Sequence, residues 1–319
     1  MGSFWKRLPL EYIFNKPKTF NQTKDGLYRI YNTWIPEDLE QDWFVRFLRY
    51  HFPDNKTEIN FFGPVGTPFL VKRKFKGKKV FATEEDVSHP FTQLWFHYGD
   101  YCLDFVDMSM GYPEIDNPKY VHFPAWLKWI FSPEDDEETI RIRIKVINES
   151  HYDKINECVL INKHDPAGTR EMVYNGVKDI LDVKLAGQWR NNTRDLWDKY
   201  DNNKELYLQT FKFNICAENR NTENYVTEKL FHAFKAGCIP LYYGALNNPE
   251  PGCINRDAVI FWNKDGSNAE NREKILELKN SEKYYKEFIS QPKLLPAMEG
   301  YVIERFTKLK EQFARLLNE

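Results

Sequence analysis

The stretch 211–244, FKFNICAENRNTENYVTEKLFHAFKAGCIPLYYG, constrains the fold more than any other part of the chain. Residues 213–217 form a short apolar run of the kind that becomes a strand covered on both faces. A polar loop follows at 218–224. Val226, Leu230, Ala233 and Phe234 then recur at helical spacing, and Gly237 is placed to end that helix. Residues 238–243 read as a second buried strand, stopping at Gly244. Strand, helix and strand make a βαβ unit, whose ligand belongs at the carboxyl end of the first strand, where the helix begins. That corner carries Glu218, Asn219, Tyr225, Glu228 and Lys229. A helix N-terminus beside a cation suits a phosphate, and a carboxylate there suits sugar hydroxyls, so the residues themselves point to a nucleotide-sugar site.

The 319 residues suffice for two α/β domains or one large one. A net charge of −2 argues against nucleic acid as a partner. Aromatic residues reach 16%, which suits both large cores and stacking on the apolar faces of sugar rings. The sequence holds no run of 18 apolar residues, so no transmembrane segment is expected in it. The expected location is cytoplasmic or peripheral to a membrane, or the Golgi lumen if the sequence is a trimmed ectodomain. Cys102, Cys158, Cys216, Cys238 and Cys253 are widely spaced and lack the pairing of a zinc site; they read as reduced structural thiols. The basic segment 72–79 reads as a solvated turn.

Elsewhere the expected elements run as follows. A strand-like stretch covers 27–35, and a helix starts near Pro36 with Asp38 as its N-cap. Short strands are expected at 59–62 and 79–83, and a helix within 124–131. The acidic run 133–138 reads as a surface loop, and 141–148 with 150–153 as the crossing between domains. A strand at 157–162 opens the second domain, another falls at 258–262, and two amphipathic helices close the sequence.

The central stretch resembles the donor-binding motif of the α-1,3/4-fucosyltransferase family: F-x-F-N-x-C-x-E-N, then Y-V-T-E-K, then A-G-x-I-P-x-x-x-G. The family is inverting and GDP-fucose-dependent. The resemblance covers about residues 58–265 and is densest at 187–244. It implies an α/β chain of the GT-B type, two Rossmann-like domains with parallel sheets facing a central cleft. The implied parts are an acceptor-binding domain over 1–152, a GDP-sugar donor-binding domain over 153–300, and a C-terminal helix, 301–319, packing back on the first domain. Within 107–116, DMSMGYPEID matches the family pattern that carries its proposed catalytic base, which gives that role to Glu114. Arg190, in GQWRNN, and Lys229 inherit the diphosphate; Glu218, Asn219, Tyr225 and Glu228 are implied around ribose, phosphate and fucose. Glu85, in TEEDV, takes the acceptor-side position, and Arg170 resembles the arginine opening the second domain's first helix. Residues 88–103 stand as an insertion against bacterial members, and Ala217 replaces a frequent aromatic, which would loosen packing around guanine or ribose.

The implied reaction moves L-fucose from GDP-fucose to a glycan hydroxyl, commonly α-1,3 to N-acetylglucosamine, in a single displacement. The leaving diphosphate needs preorganised positive charge, and the acceptor hydroxyl needs one base. Glu114 would need its pKa raised, by burial or by Asp116. No DxD-type metal motif lies near either site, so no divalent metal is expected to be essential. Two alternatives stay open: a GT-B transferase using another deoxysugar nucleotide, and a glycan-binding relative without catalysis.

Overall fold

The computed structural model describes residues 17–33, 38–88 and 98–318. It divides into two units. The first comprises Met1–Lys128, Ser132–Glu134 and Glu304–Glu319; the second, Trp129–Phe131 and Asp135–Ile303.

The first unit is built on a six-stranded sheet in the order β1-β2-β3-β4-β5-β6. Its strands are β1 (Phe20–Gln22), β2 (Tyr28–Tyr31), β3 (Ile59–Phe62), β4 (Lys78–Ala82), β5 (Met108–Gly111) and β6 (Tyr120–His122). Only β1 runs antiparallel to its neighbour. Helix α1 (Trp43–His51) packs Trp43, Phe44, Phe47 and Leu48 inward, and α2 is Trp126–Ile130. The N-cap of α1 is Asp42, not Asp38. Asp42 accepts the Phe44 and Val45 N–H groups at 2.9 and 3.2 Å, while Asp38 caps only the 3-10 turn Leu39–Gln41. Both aspartates suit a cap; the one followed directly by the apolar stripe starts the helix. The expected helix start at Pro36 and residues 89–97 of the insertion lie outside the described residues.

The second unit holds five parallel strands: β7 (Asn156–Leu160), β8 (Val183–Leu185), β9 (Phe211–Ala217), β10 (Ile239–Tyr243) and β11 (Ile260–Phe261), ordered β11-β10-β9-β7-β8. Numbered along this unit, that is the doubly wound order 2-1-3-4-5, whose switch point lies between β7 and β9. Its helices are α3 (Glu137–Asn148), α4 (Thr169–Val177), α5 (Asp195–Asp198), α6 (Lys204–Leu208), α7 (Glu228–Lys235), α8 (Ala269–Asn280) and α9 (Glu282–Ser290). Helix α10 (Ala297–Asn318) begins in this unit and is counted with the first from Glu304 on.

The βαβ unit folds as its sequence pattern requires. Six of the seven β9 residues are buried. Helix α7 buries Leu230, Phe231, Ala233 and Phe234 and ends in a Schellman turn. Cys238 N–H reaches Ala233 O and Gly237 N–H reaches Phe234 O, with Gly237 at φ 62°. All five cysteines are buried thiols with no disulfide.

Three local expectations are corrected. Residues 137–148 form the twelve-residue helix α3 inside the second unit, with Asp136 as N-cap, so 141–148 is not a crossing segment. Asp135, expected on a surface loop, is nearly buried and pairs with Arg143 at 2.5 Å. The acidic run is a helix start, where carboxylates meet unpaired N–H groups. Three helices rather than two close the chain, because Ser281 ends one and caps the next.

Candidate donor-binding site

The switch point predicts where ligand chemistry should gather, and the polar side chains gather there. Helix α4 starts just after β7, and its first turn touches both neighbouring loops. Thr169 Oγ1 donates to Glu218 O at 2.7 Å, Arg170 donates to Asn219 Oδ1, and Glu171 pairs with Arg190 at 2.5 Å. Three consecutive residues thus tie the carboxyl end of β9 to the loop that carries Arg190. Asp165 Oδ2 caps this helix by accepting the Glu171 N–H at 2.8 Å.

Glu218 is fully buried and turned inward. Its carboxylate accepts the Thr227 N–H at 2.8 Å, the Thr227 hydroxyl at 2.7 Å and the Lys229 ammonium at 2.9 Å. It therefore fixes the start of α7 and aims Lys229 rather than standing open to a ligand. The Glu218 backbone N–H is held by Tyr243 O at 2.8 Å. Gly244 follows from this contact: a Cβ there would lie 2.5 Å from Glu218 Cγ. Burial works against the Lys229 charge, but the Glu218 and Glu228 carboxylates more than offset it and raise its pKa. Burial likewise disfavours the Glu228 carboxylate; Lys229, Lys204 and His232 outweigh that and hold it down to about 2. Both groups are charged at neutral pH.

Arg170 is the residue the sequence reading passed over as a landmark. Its side chain is 4% exposed, and its Nε and Nη1 make no hydrogen bond; Nη1 lies 3.7 Å from Asp165. A buried guanidinium with idle donors calls for an anion. Arg190, expected to share that role, is half exposed, stacks on Trp189 at 4.9 Å and is already paired with Glu171. The sequence signal for Arg170 was its place in the first turn of the helix after the first strand, a helix N-terminus at the switch point.

Tyr225 is buried, with its N–H on Thr222 O, so it supports the loop from beneath. Ala217 belongs to the core beside β10, so its small side chain packs the sheet instead of lining the loop.

In the first unit, Glu114 lies on the β5–β6 connection, 72% exposed, 3.5 Å from His122 Nδ1. The burial expected to raise its pKa is not present; the loop presents it to solvent. Burial, then Arg305 and Lys308, push His122 down to about 3. Glu114 and His122 line a groove of about 840 Å³ against Glu304, Arg305 and Lys308. Glu85 lies in a separate place, half-buried, its N–H on Thr83 Oγ1 at 3.0 Å. It lines a cavity of about 70 Å³ with Asp42, Glu84 and Lys128, and Lys128 donates to Glu84.

Residues 152–309 match the model for "Glycosyltransferase family 10 (fucosyltransferase) C-term". This segment is a family 10 fucosyltransferase domain. The fucosyltransferase domain contains the whole switch-point cluster, from Asp165 to Lys229. Among curated relatives, the "Alpha-(1,3)-fucosyltransferase FucT" of Helicobacter pylori is 24% identical over 252 residues, 67% of this chain and 49% of that protein. The mouse "4-galactosyl-N-acetylglucosaminide 3-alpha-L-fucosyltransferase 9" is 27% identical over 130 residues, 40% of this chain and 34% of its own length. The chain thus spans about half, or less, of the curated relatives it matches. A crystal structure of an α1,3-fucosyltransferase shares the fold with a TM-score of 0.59 at 18% identity, covering 91% of this chain and 89% of that one. The α1,3-fucosyltransferase structure with GDP-fucose gives 0.52 at 19% identity, covering 84% and 80%. The parallel α/β architecture expected of a GT-B fucosyltransferase is therefore the observed one. Among the described residues no helix is long and apolar enough to cross a membrane.

Proposed function

We propose that the protein transfers L-fucose from GDP-fucose to a hydroxyl of a glycan, with an α-1,3 linkage to N-acetylglucosamine as the preferred product. The observation that supports this most is the buried Arg170 guanidinium, with two nitrogens lacking hydrogen-bond partners, at the switch point of a fucosyltransferase-family domain. A diphosphate oxygen would satisfy those donors with charge-assisted hydrogen bonds.

In this reading Arg170 and Lys229 hold the diphosphate and Arg190 adds charge at its edge. Asn219 and Glu228 face ribose and fucose; Glu218 and Tyr225 shape the site from within. The acceptor oxygen attacks C1 of fucose from the side opposite the diphosphate. A new C1–O bond forms as the C1–O(phosphate) bond breaks, the electron pair leaves with GDP, and the acceptor proton passes to Glu114. The stereochemistry at C1 inverts. Because Glu114 is solvated, the acceptor displaces water from it on binding. Glu85 contributes to the acceptor side. The diphosphate charge is balanced by protein cations, so activity should survive chelation; loss in EDTA restored by magnesium would refute that part.

Titration calorimetry with GDP-fucose against UDP- and dTDP-sugars tests the donor. GDP-fucose should bind most tightly. Tighter binding of a non-guanine sugar nucleotide would favour a transferase for a different deoxysugar.

A further inference from the structure

Asp86 and Tyr112 lie on different connections of the first sheet, and each is 4% exposed. The Tyr112 hydroxyl donates to Asp86 Oδ1 at 2.7 Å, across 26 residues of chain. The same oxygen accepts the Ser88 N–H at 2.9 Å and the Ser88 hydroxyl. At the other end of this turn, Thr83 Oγ1 accepts the Glu85 N–H at 3.0 Å and donates to Glu85 O at 3.2 Å. The turn 83–88 is thus stapled by its own side chains, and it offers a buried carboxylate oxygen to the tyrosine. Breaking that bond would strip a partner from two buried polar groups.

Tyr112 stands where the chain leaves the sheet. Strand β5 is fixed up to its last residue: Gly111 O accepts the Phe123 N–H at 2.8 Å, and a Cβ on Gly111 would lie 2.7 Å from Tyr101 Cε1. Tyr112 comes next, then Pro113, which has no N–H to donate, then Glu114. Glu114 is exposed and lies 3.5 Å from His122 Nδ1. A side-chain bond from Tyr112 therefore continues, past the end of the strand, the anchoring that the ladder gives β5. Tyr112 and Asp86 have other neighbours; this bond joins the turn that carries Glu85 to the connection that carries Glu114.

We propose that Tyr112 is a positioning residue: its hydrogen bond to Asp86 sets the backbone from which Glu114 reaches the acceptor hydroxyl. This rests on the proposed function, which makes Glu114 the base. A base must lie within hydrogen-bond reach of the proton it takes, and a misplacement of about 1 Å can cost about 100-fold in rate.

The experiment places Tyr112→Phe in the unaltered protein and in Glu114→Gln. Calorimetry gives the Kd of GDP-fucose, and initial rates with a 4-galactosyl-N-acetylglucosamine disaccharide give kcat and KM. Tyr98→Phe is the control, because the Tyr98 hydroxyl is also buried in this unit and donates to Gly66 O at 2.8 Å, away from Glu114. The two Phe variants should have Tm values within about 3 °C of each other. Tyr112→Phe should lower kcat about tenfold, with KM and the GDP-fucose Kd within about twofold, while Tyr98→Phe keeps its kcat. In the Glu114→Gln background, Tyr112→Phe should change kcat by less than about twofold, because the group it positions is gone. An unchanged kcat in Tyr112→Phe would overturn the proposal. So would a tenfold loss that persists beside Glu114→Gln or appears equally in Tyr98→Phe, since either would make the bond a matter of stability alone. Absence of fucosyl transfer by the unaltered protein would refute the proposed function itself, and this role with it.

Discussion

Replacing Glu218 by Gln tests whether this carboxylate holds the donor site together from inside. The wild-type group is fully buried and receives three hydrogen bonds, two from Thr227 and one from Lys229. A Gln carbonyl can keep the Thr227 N–H, but its amide group would then point donors at the Lys229 ammonium. Removing one partner of a buried ion pair costs about 3–5 kcal/mol, because the other charge is stranded. Here Glu228, 3.9 Å from Lys229, retains part of the attraction, and Lys229 keeps some contact with solvent. We expect a loss of about 2–4 kcal/mol. At about 2–4 °C per kcal/mol for a unit of this size, Tm should fall by roughly 5–15 °C. Removing both charges, in Glu218→Gln with Lys229→Met, should cost less than the sum of the single changes by at least about 1 kcal/mol. Urea and thermal unfolding of the four proteins measure this. A shift under 2 °C for Glu218→Gln, or strict additivity, would show that Glu218 is not the internal anchor of Lys229.

Other consequences are equally direct. Arg170→Lys removes the planar fork and should weaken GDP binding by about tenfold or more in calorimetry, whereas Arg190→Lys should change it by less than about threefold. Gly244→Ala drives a Cβ against Glu218 and should cost about 1–3 kcal/mol by urea unfolding. His122 and His232 have folded pKa values near 3 and 4, below the unfolded value of 6.5. Between those limits the unfolded state binds more protons, so stability present above pH 6.5 is lost as pH falls, by up to about 1.4 kcal/mol per unit for each histidine. Urea midpoints from pH 7 to 5 should drop, and His122→Asn should flatten the slope. Glu114→Gln should leave GDP-fucose affinity nearly intact and lower turnover by at least about 100-fold; an unchanged rate would remove Glu114 from the mechanism.

The sequence made the second unit readable because its signals were local. The apolar run of β9, the spacing of Leu230, Ala233 and Phe234 and the Gly237 stop each act within a few residues. Which way a polar side chain turns was not readable. Glu218 and Asn219 are adjacent, yet one is sealed inside and the other meets Arg170 across 49 residues of chain. The roles of Arg170 and Arg190 likewise depend on α4, whose first turn buries one and pairs the other with Glu171. Among acidic residues the difficulty was similar. Asp42 and Asp135 look like surface charge in sequence, and a helix start and an arginine partner draw them in. Glu114 is the reverse: its role asked for shelter, and the β5–β6 connection leaves it in water.

The most direct measurement is a crystal structure of the protein with GDP. The account requires diphosphate oxygens within hydrogen-bond distance of the Arg170 guanidinium and the Lys229 ammonium, at the carboxyl ends of β7 and β9. GDP bound elsewhere, with Arg170 still engaged by Asp165 and Asn219 and Lys229 by Glu218, Thr227 and Glu228, would contradict it.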